Sequence, residues 1–278
     1  MPGRHRLITI CFSHYVERAR WALDRFGIEY DEHSHMPLLH ALPVWWVHRG
    51  QAGRSDKASS PLSTPVLVTP EGRVLADSRE ILDYVDERYA PADRRLYDGA
   101  RLDERERQWH DRLATHSRRL AYAACFGAPG TLGAIARHNV GWIESAMFRV
   151  LMPVVPAIMR SVLQIGDDAI ERSSEMCRRE LDEVAKLLDD GRPYLGGDRF
   201  TGWDLSFACF AAPLIFPPEY AAWLPKDDAF EDDIKALIHE MRAHPAGQHA
   251  VKMFRLHRRE CVGRAALDVG GAPPVSPS

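Results

Sequence analysis

Paired cysteines are missing from this chain. Its five (Cys11, Cys125, Cys177, Cys209 and Cys261) are odd in number, widely scattered and without a short repeat spacing. Neither a disulfide framework nor a zinc site is expected from them, and a reducing, cytoplasmic setting fits best. A strong charge of one sign is missing too: the net charge is -3, which gives no electrostatic reason for a nucleic-acid or membrane partner. Long apolar runs are also absent. The basic start Met1-Pro2-Gly3-Arg4-His5-Arg6 leads into an apolar stretch that ends at Phe12, too short for a signal peptide or a membrane span. The longest apolar region, Met147 to Leu163, is broken by Arg149 and Arg160 and carries Pro153 and Pro156, so a kinked buried helix is expected there.

Within 278 residues, 45% of them hydrophobic, there is room for two domains around separate cores. The most informative stretch is Pro61 to Ser78. Two short apolar runs, Val66 to Val68 and Val74 to Ala76, flank Thr69-Pro70-Glu71-Gly72, with Pro at the second turn position and Gly at the fourth, which predicts a hairpin. Asp77 and Glu80 then stand at the spacing of an N-cap and a third-position carboxylate, and Ile81, Leu82, Val85 and Tyr89 continue at helical period. The order is strand, turn, strand, helix. Pro65 opens the first of these strands, so its missing amide leaves the backbone of Thr64 free to pair outside the sheet. The helix starting at Asp77-Ser78 offers unpaired amides that suit a ligand carboxylate.

Upstream, Leu7 to Phe12 is a short β-branched run, followed by Ser13-His14-Tyr15 and a helix with Val16, Ala19, Ala22, Leu23 and Phe26 on one face. Gly27 suits the helix end, and Ile28 and Tyr30 suggest a second strand, parallel to the first. Ser13 sits between strand end and helix start. It serves either as a plain N-cap or as a group that stabilises an anion there. Cys11, two residues earlier on the strand, is expected to be a buried structural thiol. The second helix of such a unit, somewhere between Asp31 and Ser60, has no periodic signature. The same region holds His33, His35, His40 and His48. His-x-His can chelate a metal, but no thiolate or carboxylate pattern supports a site, so exposed loop histidines are expected and no metal.

Beyond Ala90-Pro91-Ala92-Asp93-Arg94-Arg95, where a linker is expected, nearly everything has helical period. Helices are predicted over Leu102 to Phe126, Ile135 to Arg149, Phe148 to Leu163, Asp168 to Leu188, Asp232 to His244 and Pro245 to Arg258. Thr201-Gly202-Trp203-Asp204 is a capping box that opens another apolar helix.

A βαβ unit, a strand beginning Thr64-Pro65, a hairpin, a helix beginning Asp77-Ser78 and a Leu195-Gly196-Gly197 segment followed by Thr201-x-x-Asp204 together resemble the cytosolic glutathione S-transferase superfamily. Ser13-His14-Tyr15-Val16-Glu17-Arg18-Ala19-Arg20 is similar to the active-site segment of its serine-type zeta, omega and related bacterial classes. The resemblance spans about Leu7 to Arg258. It implies an α/β plus all-α fold: a thioredoxin-like glutathione-binding domain over 1–90, a linker over 91–101, an all-helical C-terminal domain over 102–261 and a disordered tail over 262–278. It places Ser13 on the catalytic position, makes Pro65 cis, pairs the backbone of Thr64 with the cysteinyl part of glutathione, and sets Asp77 and Ser78 on its γ-glutamyl end. Tyr15, Trp109, Arg112 and His116 become candidates for the pocket of the second substrate.

Departures from the family pattern are Asp77, one methylene shorter than the usual glutamate; His14, where proline is common; Tyr15, where the zeta class has cysteine; and the long segment from Asp31 to Ser60. The implied function is activation of the glutathione thiolate, with glutathione as co-substrate, for attack on a small electrophile in a cytoplasmic homodimer. Serine at position 13 favours conjugation, isomerisation or dehalogenation over thiol transfer, which needs a sulfur there. The alternative is a non-catalytic binding or assembly module of the same fold.

Overall fold

The computed structural model describes residues 4–49, 62–97, 104–128 and 130–262. Strand β1 (His5–Ile10) pairs in parallel with β2 (Tyr30–His35), His5 opposite Tyr30 and Ile10 opposite His35. On its other side β1 pairs antiparallel with β3 (Val66–Val68), Leu7 opposite Leu67, and β4 (Val74–Leu75) completes the order β2-β1-β3-β4. The β3-β4 turn closes as its residues dictate: the Gly72 amide donates to the Thr69 carbonyl at 2.9 Å, and Gly72 takes φ +84°, a conformation that glycine adopts without steric cost.

Alternation along β1 decides what covers each face of the sheet. Leu7 and Leu67 face α1 (His14–Arg25) and α3 (Ser78–Tyr89), sharing a core with Ala19, Ala22, Leu23, Ile81, Leu82 and Val85. Ile8 and Val66 point the other way and meet Val44 of α2 (Ala41–His48). This is the helix that periodicity does not reveal. Its apolar residues run all round it, with Leu42, Trp45 and Trp46 exposed, so no single stripe marks a buried face. Pro43 falls in its first turn, where a missing amide costs nothing.

The helical part opens with α4 (Glu104–Gln108), a π-helical segment (Trp109–Ala114) and α5 (Thr115–Gly127) in place of one uniform helix. Then come α6 (Thr131–Asn139), α7 (Trp142–Leu151) and α8 (Val155–Val162). The single kinked buried helix expected over Met147–Leu163 is instead two helices bent by 80°. Pro153 lies in the break and Pro156 in the first turn of α8, where proline belongs. Nor is this pair mainly buried: Phe148, Val155 and Met159 are, while Val150, Val154 and Val162 face out. No single described helix is long and apolar enough to cross a membrane.

Helix α9 (Asp167–Leu188) buries Cys177, Leu181 and Val184, and α10 (Gly202–Ile215) runs through the middle, buried along almost its whole length. Helices α11 (Asp232–Ala243) and α12 (Pro245–His257) follow. The chain end then returns to α1: Arg258 Nε donates to Glu17 at 2.6 Å, and the Trp21 indole donates to the His257 carbonyl at 3.2 Å. Of the expected linker, residues 98–101 lie outside the described residues. So does the expected tail beyond Val262.

The capping box starts α10 as its residues predict. Asp204 Oδ2 accepts from the Thr201 amide and hydroxyl, both at 3.0 Å, and Oδ1 accepts from the Leu195 amide at 2.8 Å, with His249 Nε2 at 3.1 Å. One fully buried carboxylate thus ties the loop before α10, its first turn and α12. Asp204→Ala is expected to cost about 2–4 kcal/mol, since it removes a cap and strands buried donors. A urea midpoint that does not move would contradict this.

Candidate active site

Three backbone features converge between the sheet and the helices. The chain leaves β1 at Ile10 and turns, the Ser13 amide donating to the Ile10 carbonyl at 3.0 Å, so that Ser13 stands in extended conformation ahead of α1. Its carbonyl accepts from the Glu17 amide at 2.9 Å, yet its hydroxyl makes no bond to the helix it precedes. At the start of β3, the Thr64–Pro65 peptide bond is cis. At the start of α3, Asp77 Oδ1 accepts from the Arg79 amide at 2.7 Å. Glu80 reaches one residue further back than the expected capping box, accepting from the Ala76 amide at 3.2 Å. Ser13, Thr64, Pro65, Asp77 and Ser78 all line one cavity of about 700 Å³.

Tyr15 lines this cavity as well, whereas Trp109, Arg112 and His116 do not. Trp109 is core, packed against Trp203 and Phe207. Arg112 is half exposed and reaches Glu180 at 3.4 Å, and His116 Nδ1 lies 2.9 Å from the Ser173 hydroxyl. The residues that do face the cavity from this stretch are His110, Asp111, Thr115 and Arg118, with Tyr122 a turn further on. The difference is one of stripe: Trp109 starts the face that continues through Leu113, Ser117 and Leu120 into the core, whereas Asp111, Thr115, Arg118 and Tyr122 recur at helical spacing on the neighbouring face that the cavity meets.

His14 was legible only as a departure from the family pattern, and it too lines the cavity. It is 3% exposed, its ring is 4.1 Å from that of Tyr15, and its Nε2 is buried with no hydrogen-bond partner among the described residues. Burial, and after it the nearby Arg118 and His110, holds its pKa well below the ordinary imidazole value, so it is neutral at pH 7. Beneath the cavity lies a buried cation. Arg18 of α1 donates to Glu106 at 2.8 Å, to the Ser206 hydroxyl at 2.9 Å and to the Ser78 hydroxyl at 3.4 Å.

Of the four histidines only His40, in the turn before α2, is a loop residue. His33 and His35 belong to β2, and His48 ends α2. His35 Nδ1 lies 2.9 Å from Glu144 of α7, whose other oxygen accepts from the Met36 amide at 2.6 Å, and His40 Nε2 lies 3.1 Å from the Leu62 carbonyl. Among the described residues no three His, Cys, Asp or Glu side chains converge as a metal site.

Cys11 points inward, its sulfur 3.6 Å from that of Met36, and burial pushes its thiol up to about 12. Burial does the same to Cys125 and Cys177 and holds Cys209 well above the usual thiol value, whereas Cys261 is exposed. Titration of the folded protein with Ellman's reagent at pH 8 is therefore expected to count one thiol rapidly and five only in denaturant. A second fast thiol would show that one of the buried four opens to solvent.

Residues 7–93 match the family described as glutathione S-transferase, N-terminal domain. No curated protein matches the sequence significantly. Among solved structures, the chain is similar to glutathione transferase GSTFuA3 from Phanerochaete chrysosporium, with 16% identity over 94% of this chain and 99% of that one and a TM-score of 0.57. It is also similar to GSTFuA2 from the same organism (17% identity, 93% and 99% covered, TM-score 0.57). A third is the glutathione S-transferase CsGST83044 of Ceriporiopsis subvermispora, solved in complex with glutathione (13% identity, 92% and 99% covered, TM-score 0.57). At these identities the likeness is one of fold: a four-stranded mixed sheet with helices on both faces, then a helical bundle. Residues 7–93 thus form a glutathione S-transferase N-terminal domain, and the chain as a whole has the fold of the glutathione transferases it resembles.

Proposed function

We propose that this chain binds glutathione and activates its thiolate for attack on a small electrophile, by conjugation, isomerisation or dehalogenation. One observation carries the reading: the Ser13 hydroxyl, the backbone ahead of Pro65 and the N-terminus of α3 open onto a single cavity whose size suits a tripeptide and a second small molecule. CsGST83044, which shares the fold, was solved with glutathione bound.

Each group has a task in this reading. The N–H and C=O of Thr64 exchange hydrogen bonds with the extended cysteinyl residue, as an added strand would. Ser78 and the amides of the first turn of α3 hold the γ-glutamyl carboxylate. Asp77 spends Oδ1 on the Arg79 amide and keeps Oδ2 for the ligand's amino group. The sulfur then falls beside Ser13. A free thiol has a pKa of about 8.5, and lowering it by one to two units takes about 1.4–3 kcal/mol. A hydroxyl donating to the thiolate, helped by the first amides of α1, supplies stabilisation of that size. Ser13 acts as a donor and forms no covalent intermediate. A cytoplasmic homodimer is part of the same proposal.

The engagement of Asp77 with Arg79 favours a second reading, a non-catalytic module that has kept the fold for binding or assembly. Retention on immobilised glutathione, elution by free glutathione and turnover of 1-chloro-2,4-dinitrobenzene decide between them. Retention with turnover supports the enzyme. Neither retention nor turnover would leave only the module.

A further inference from the structure

Resting on the function proposed above, the geometry points to a carboxylate subsite at Arg118, in the cavity that Ser13 and Ser78 also line, so that the second substrate is an apolar electrophile bearing a carboxylate. Arg118 lines the cavity from α5. Among the described residues it has no carboxylate partner, and its Nε is buried without a hydrogen bond. A guanidinium N–H removed from water and left unpaired is costly, which makes it a site for something that arrives later. His14 beside it is neutral and 3% exposed, so it adds no charge of its own to the subsite.

Tyr15 links the two groups, its ring 4.1 Å from that of His14 and 5.8 Å from the Arg118 guanidinium carbon. Burial raises the Tyr15 pKa, so its hydroxyl stays a donor. The nearest acid on this wall, Asp111, is exposed and lies 3.0 Å from His110 Nδ1. It is therefore solvated and occupied elsewhere.

The planar fork of an arginine matches the two oxygens of a carboxylate, and such a charged pair is stronger in a cleft than in water. The same cavity has an apolar wall that includes Ile135, Met159, Val162, Leu163 and Phe216. An aryl or alkyl body with one carboxylate fits that mixture, and a neutral analogue leaves the guanidinium without a counter-charge.

The test uses unreactive 3-nitrobenzoate and its neutral amide in calorimetric binding to the full chain, with and without saturating glutathione. Turnover of 4-chloro-3-nitrobenzoate against 4-chloro-3-nitrobenzamide is the second readout. In that reaction the glutathione sulfur forms a bond to the ring carbon, chloride leaves with the electron pair of the broken C–Cl bond, and the thiol proton passes to solvent. The acid is expected to bind about ten- to a hundredfold more tightly than the amide. Arg118→Gln should erase that ratio, Arg118→Lys should keep part of it, and glutathione should not compete. Equal affinity for acid and amide, a preference that survives Arg118→Gln in a variant with an unchanged melting curve, or competition by glutathione would overturn the subsite. An Arg118-dependent preference in a chain that does not bind glutathione would instead sustain the subsite and overturn the function on which the electrophile's role rests.

Discussion

Replacing Ser13 by alanine is expected to lower kcat/KM for conjugation by about ten- to a hundredfold, with little change in the KM for glutathione. The magnitude follows from one hydrogen bond to a charged sulfur, worth about 1.5–3 kcal/mol, lost from the thiolate and not from the thiol. The sign with pH follows too. The hydroxyl stabilises the ionised form, so removing it raises the pKa of the bound thiol, and the rising limb of rate against pH should move up by roughly one to two units. At high pH, where the thiol ionises unaided, variant and parent should converge. Stability is the control: the Ser13 hydroxyl makes no bond to α1, so the unfolding midpoint should hardly change. A Ser13→Ala protein with an unaltered pH profile would remove Ser13 from the chemistry.

The second large effect concerns Arg18. Replacing it by methionine is expected to cost about 3–5 kcal/mol, because buried Glu106 loses the guanidinium 2.8 Å away that faces its charge beside the Ser206 and Tyr97 hydroxyls. For a chain of this size that is a fall in melting temperature of about 10 °C. The same change frees the Ser78 hydroxyl from its anchor and should weaken glutathione binding. Adding Glu106→Gln should recover much of the stability, since the stranded charge and not the lost contact dominates the penalty. Denaturant midpoints for the two singles and the double measure the coupling. A double variant no more stable than Arg18→Met would show that packing around the arginine, and not charge, sets the cost.

How far the sequence revealed the molecule depended on whether local rules acted alone. The β3-β4 turn, the box at Thr201 and Asp204, and the start of α3 were legible because each is settled by residues within a few positions of one another. The buried face of α9 was legible because its period is regular. Helix α2 was not, since its apolar residues follow no stripe and its docking on Ile8 and Val66 is a tertiary event. His33 and His35 were misplaced because β2 is an edge strand with an outward polar surface, extended by pairing with β1 and not by its own propensity. The second-substrate wall was missed for a different reason. Trp109, Arg112 and His116 share a face at the ordinary helical period, and nothing in their spacing says that the cleft meets the neighbouring stripe of Asp111, Thr115, Arg118 and Tyr122 instead.

That helical rod has an architectural result. Trp109 and Leu113 are embedded in the interior while His110, Asp111 and Arg118 look into the cleft, so its two faces serve the core and the opening at once. Deleting a single residue from Trp109–Ala114 would swing the rod's far half about a third of a revolution. Either the tryptophan would leave its bed or Arg118 would turn its back on the opening. Point substitutions at 110, 111 and 118 meet no such constraint, and it is through these that ligand preference can drift while the scaffold stands still.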